Sequence, residues 1–150
     1  MTLKNTVAAI LGLTVLSGLM YTQWAHAQSP PPAGSTMLLA ATDIKWQQTQ
    51  RPDTMRANLR GDSSKGPFEY LSRYDGGWEL PLHFHNNDLR GLILSGTFII
   101  HVAGQPPKEL PSGSYFSVPG KTQHTDACKA GAPCILYFTG DAPLDRIDVH

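Results

Sequence analysis

The chain has 150 residues, 41% of them hydrophobic and 16% charged, with a formal net charge of zero. A chain of this size and composition fits one compact domain. The balanced charge and the lack of a basic run argue against nucleic acid or an anionic membrane as partner and point to a small-molecule ligand.

The N-terminus is read separately from the domain. Lys4 precedes a 14-residue apolar run, Val7 to Met20, and Ala25-His26-Ala27 follows with the small-x-small pattern of a signal-peptidase site. A bilayer span takes roughly 20 apolar residues, so residues 1–27 are expected to be a cleaved signal peptide, leaving a periplasmic or secreted protein that is not membrane-bound. Lys4 is the only charge in this leader, so the remaining 123 residues carry 11 basic and 12 acidic side chains. Residues 28–36 are expected to form a Pro-rich flexible tether, and 37–150 a single domain. Cys128 and Cys134, the two cysteines of the chain, lie six residues apart. In an oxidising compartment they are expected to form a disulfide.

The domain reads as short strands between Gly/Pro turns. Ile44 to Gln47 alternates like a strand start, and Gln47 to Arg60, interrupted by Pro52, suggests a loop and then a short edge strand. A turn cluster over 61–67 precedes Phe68 to Tyr74, whose alternation predicts a strand, and Asp75-Gly76-Gly77 reads as a hairpin turn. The following strand carries His83 and His85, which share a face because side chains alternate. Leu92–Leu94, Thr97–Val102, Lys108–Leu110, Ser114–Val118, Gln123–Ala127 and Ile135–Thr139 are further strand candidates. With no long helical period, the pattern predicts an all-β sandwich or barrel.

His124 follows Pro119 and is the third histidine that such a barrel would place beside His83 and His85. Three converging imidazoles suit a divalent ion such as Fe, Mn, Zn or Ni, with open positions left for a ligand. A hydrogen-bonded polar cluster would use the same three residues without a metal. His101, alternating with Ile100 and Val102, reads as an outward strand residue. Asp126 shares parity with His124 and could orient an imidazole. Trp46, Trp78, Phe84, Phe98, Tyr115, Phe116, Tyr137 and Phe138 read as barrel packing or dimer surface.

These residues resemble the cupin superfamily, in particular small exported single-domain cupins without a known role. Gly77, His83, His85 and Gly96 match the first cupin motif, G-x5-H-x-H-x3,4-E-x6-G, and Gly113, Pro119 and His124 match the second, G-x5-P-x-G-x2-H-x3-N. The resemblance covers roughly 66–140 and implies a double-stranded β-helix, the cupin jelly-roll barrel, with His83, His85 and His124 as metal ligands. It also implies either a small-molecule metalloenzyme, dioxygenase- or isomerase-like, or a non-catalytic metal- or ligand-sensing cupin. Similar cupins often pair as homodimers through edge strands. Three positions depart from the motifs. Leu89 stands at the glutamate position, with Asp88 one residue earlier as the candidate fourth ligand through a bulge or shifted turn. Lys121 stands at the second motif's glycine, with Gly120 one place early, and Cys128 stands at its asparagine. Asp88 and Glu79, the latter sharing nominal strand parity with His83, are the candidates for moving a proton.

Overall fold

A computed structural model describes residues 34–150. The expected leader, 1–27, and most of the tether lie outside the described residues. A single 3-10 turn, Ala41–Asp43, is followed by eleven strands: β1 (Gln47–Gln48), β2 (Thr54–Gly61), β3 (Phe68–Tyr74), β4 (Glu79–Phe84), β5 (Leu89–Ser95), β6 (Thr97–Val102), β7 (Lys108–Pro111), β8 (Tyr115–Val118), β9 (His124–Cys128), β10 (Cys134–Gly140) and β11 (Ile147–Asp148). They form two antiparallel sheets, ordered β1-β2-β3-β10-β5-β8 and β11-β4-β9-β6-β7. This all-β, two-sheet arrangement is the jelly roll expected from the motifs.

Successive strands repeatedly change sheet, and the turns between them are corners. Asp75-Gly76-Gly77 joins β3 in the first sheet to β4 in the second, so it is a corner where the sequence suggested a hairpin. Its backbone closes a turn from Trp78 N–H to the Asp75 carbonyl at 3.0 Å, with Gly77 at φ 88°, a conformation glycine adopts without a side-chain penalty. The dipeptide pattern identifies a tight turn, but which strand follows is decided by pairing elsewhere. Ile44 to Trp46 is likewise outside any strand, and the eight-residue β2 is longer than the short edge strand expected.

The core lies between the sheets. Tyr70 and Tyr74 of β3, Ile93 of β5, Phe116 of β8 and Leu136 of β10 face Phe98 and Ile100 of β6 in one cluster that includes Trp78. Phe98 bridges the layers, with ring centroids 5.8 Å from Tyr74 and 6.4 Å from Phe116. These offset contacts between large rings add to burial that removes each ring from water. Cys128 and Cys134 form a disulfide, both sulfurs lying in this core. It ties β9, the strand of His124, to β10 of the other sheet.

Candidate metal centre

The histidine cluster follows from the pairing of β4 with β9. His83 lies directly opposite His124 in that register, and adjacent cross-strand residues put their side chains on the same face. His85, just past the end of β4, folds onto that face too. All three are buried, and one ring nitrogen from each lies within 4.8 Å of those of the others. The ring centroids of His83 and His124 are 4.3 Å apart. His101, in contrast, is exposed on β6.

Hydrogen bonds set the orientation of every ring. Nδ1 of His83 donates to the Pro81 carbonyl and Nδ1 of His124 to the Thr122 carbonyl, both at 2.8 Å. Nδ1 of His85 donates to the Asp145 carbonyl. Carbonyl oxygens only accept, so each Nδ1 carries the proton and each Nε2 keeps a free lone pair. Desolvation pushes all three imidazoles below their usual pKa, His83 to about 4, which keeps them neutral. Nε2 of His83 is buried without any hydrogen-bond partner. An unpaired buried acceptor is costly in a polar cluster of neutral imidazoles, and it is the arrangement a metal ligand requires. The donor set therefore fits a divalent ion.

Asp126 is the carboxylate at this centre. Two residues beyond His124 on β9, its Oδ2 lies 3.7 Å from Nε2 of His83 and 3.8 Å from Nε2 of His124. Burial raises its carboxyl to about 7. The parity argument that singled it out from sequence is thus met by the geometry. The other two carboxylate candidates lie elsewhere. Asp88 is exposed, and its Oδ1 accepts from the Gly120 N–H at 2.8 Å, so it pins the turn preceding β9. Leu89, at the motif glutamate position, is buried in the core. Glu79 is exposed because the β4–β9 register slips between Leu80 and His83, three steps on β4 opposing two on β9. That bulge spans Pro81, which has no N–H to give a ladder, and it reverses the face on which residue 79 emerges. Leu80, not Glu79, lines the cavity.

The second motif keeps its backbone shape with altered residues. Lys121 adopts φ 65° at the position where the motif has glycine, and its N–H donates to the His85 carbonyl at 2.6 Å. Gly120 is required by contact, since a Cβ there would stand 2.3 Å from the Asn86 carbonyl oxygen.

His83, His85 and Asp126 open onto a cavity of about 500 Å³, lined also by Tyr70, Tyr74, Trp78 and Phe138. That volume suits a small organic ligand. The C-terminal segment closes one side of it: β11 pairs with β4, Asp148 opposite His83, which brings the Asp145 carbonyl to His85. The carboxylate of Asp145 is held by the backbone and side-chain amides of Asn86. Neither Asp145 nor β11 carries a sequence signal beyond a short polar tail.

The model of the ChrR cupin-like domain matches residues 35–144. The chain belongs to this family. No curated protein matches the chain. Among solved structures, the cupin chain is similar to the polyketide cyclase RemF from Streptomyces resistomycificus, with a TM-score of 0.66, 17% identity, and 77% of this chain and 87% of that one covered. It is similar to an RmlC-like cupin from Ralstonia eutropha JMP134, at TM-score 0.62, 20% identity, and 76% and 73% coverage. The DMSP lyase DddQ from Ruegeria pomeroyi DSS-3 aligns at TM-score 0.59 and 18% identity, over 72% of this chain and 62% of that one. At such identities the likeness is one of fold, and the cupin's chemistry rests on its own residues.

Proposed function

We propose that this protein is an exported, periplasmic or secreted cupin that binds one divalent metal ion through Nε2 of His83, His85 and His124 and acts on a small organic molecule. The observation that carries this reading is the shared tautomer: three buried Nδ1–H groups are committed to carbonyls, which leaves three Nε2 lone pairs on clustered rings, that of His83 buried without a hydrogen-bond partner. Iron, manganese, zinc and nickel all suit imidazole nitrogen. A divalent ion in such a centre supplies Lewis-acid polarisation of a substrate oxygen.

The chain's own residues do the rest. The carbonyls of Pro81, Thr122 and Asp145 hold the rings in register, so little ordering is needed on binding. Asp126, whose Oδ2 lies 3.7 Å from Nε2 of His83 and 3.8 Å from Nε2 of His124, is placed to accept or donate a proton beside the histidines. A second reading, a cupin that binds a metal or ligand without turnover, is favoured by Leu89 where the motif has its glutamate ligand.

Titrating the metal-free protein with Zn²⁺, Mn²⁺ or Ni²⁺, and anaerobically with Fe²⁺, tests the centre. One equivalent should bind tightly for at least one ion, and none to His83→Ala/His85→Ala/His124→Ala. Equal binding by that variant would overturn the assignment. A bound small molecule recovered unchanged from the metal-loaded protein after long incubation would favour the sensing reading over the enzymatic one.

A further inference from the structure

The cavity at the histidines contains a second polar feature that the metal centre does not use. Arg56, on β2, extends into it with its guanidinium carbon 4.1 Å from the centroid of the Tyr70 ring. Its Nε is buried and has no hydrogen-bond partner; the same is true of Nε1 of Trp78, which lines the same cavity. Buried donors are nearly always paired in folded proteins, because an unpaired one forfeits its hydration. Arg56 therefore puts on the chamber wall a cation that its own surroundings leave unsatisfied, and an anionic ligand would satisfy it.

The charges around Arg56 narrow the acceptor. The other two arginines of the lining are already paired, Arg51 with Asp53 at 3.0 Å and Arg146 with Asp148 at 2.9 Å. Among the described residues Arg56 has no carboxylate partner, and its guanidinium stacks on Tyr70. Of the lining carboxylates, Asp145 is engaged by Asn86 and Asp126 lies against His83 and His124. No lysine lines the cavity. A single planar guanidinium matches a carboxylate better than a phosphate dianion, which draws several cations or a cradle of backbone N–H groups.

The apolar lining describes the remainder of the ligand. Tyr74 and Trp78 have ring centroids 4.0 Å apart, Tyr70 and Phe138 5.1 Å, and all four rings border the chamber. Flat aromatic walls favour a flat, unsaturated body. We propose that the Arg56 guanidinium forms a carboxylate subsite, and that the cavity takes a small aromatic or unsaturated monocarboxylic acid. This deepens the metal-centre reading by naming a ligand class, and rests on it for the claim that histidines and subsite serve one chamber.

Benzoate tests the subsite, with benzamide as the neutral isostere and inorganic phosphate as the competing anion. Binding is measured on the metal-free protein by calorimetry and by the indole N–H resonance of Trp78, assigned with Trp78→Phe. Benzoate should bind, shift that resonance, and exceed benzamide in affinity by about tenfold or more. Arg56→Gln should lose about tenfold or more; Arg56→Lys, which keeps the charge without the fork, should lose less. Equal binding of benzoate and benzamide, an unmoved Trp78 resonance, or unchanged affinity in Arg56→Gln would overturn the proposal. Displacement by phosphate as effective as by benzoate would overturn the carboxylate assignment. Arg56-dependent benzoate binding in a protein that takes up no metal would sink the metal reading and leave the subsite standing. Normal metal uptake without selective benzoate binding would do the reverse.

Discussion

Replacing Asp126 with asparagine should stabilise the metal-free protein while weakening its hold on metal. The Asp126 side chain is nearly buried, its Oδ2 is not within hydrogen-bond distance of His83 or His124, and the neutral histidines offer it no countercharge. Burial moves its carboxyl from 3.8 to about 7. A carboxyl whose folded pKa is raised loses stability as pH rises: the penalty is absent below 3.8, grows through the interval, and is complete above about 7. A shift of that size corresponds to about 4 kcal/mol at pH 8 and less than half of that at pH 5. Asparagine keeps the shape and never ionises. Urea unfolding of chelator-treated wild type and Asp126→Asn at pH 5 and 8 should show the variant more stable at both, by about 2 kcal/mol more at pH 8. Metal affinity of the same variant should fall by roughly 10- to 100-fold. A variant no more stable than wild type at pH 8, or a gain that does not grow with pH, would refute the argument that Asp126 is a desolvated carboxylate held at the centre against the stability of the fold.

Other substitutions separate the true site from its sequence neighbours. Glu79→Ala should change stability by less than about 0.5 kcal/mol and leave metal content unchanged, as its exposed side chain requires. Asp88→Ala should cost about 1 kcal/mol through the lost bond to Gly120 N–H, with metal still bound; loss of metal in thermally stable Asp88→Ala would restore it as a ligand. Lys121→Gly should raise the unfolding free energy by up to about 1 kcal/mol, and the thermal midpoint with it, because glycine relieves the left-handed backbone at φ 65°. Lowered thermal stability there would show that the lysine side chain matters more than its backbone. Cys128→Ala/Cys134→Ala should lose about 2 kcal/mol in chemical denaturation, the loop-closure contribution of a short ring, and a midpoint insensitive to this change and to reductant would contradict it.

Much of this fold was legible because alternation and turn chemistry are local. Phe68–Tyr74 and Thr97–Val102 emerge as strands with the boundaries read from their residues, and the spacing of His83, His85 and His124 foretold neighbours that the β4–β9 register delivers. What stayed hidden depends on pairing between distant segments. The corner at 75–77 looks like a hairpin until β3 and β4 are seen in different sheets. The bulge across Pro81 undoes the parity assigned to Glu79; the proline was visible, but a proline in a strand announces a defect and not its size. Arg56 lies far from the motifs in sequence and reaches the cavity only because β2 pairs with β3, with Arg56 opposite Ser72. The Asp145 carbonyl reaches His85 through a two-residue strand too short for any pattern.

The most direct test is elemental analysis of the native protein, purified without an affinity tag or chelator from the compartment where it accumulates. The three-histidine account predicts about one equivalent of iron, manganese, nickel or zinc per chain, retained on dialysis and lost in a folded His83→Ala variant. A protein that is metal-free as isolated and stays so after reconstitution, or one whose metal survives removal of His83, would contradict it.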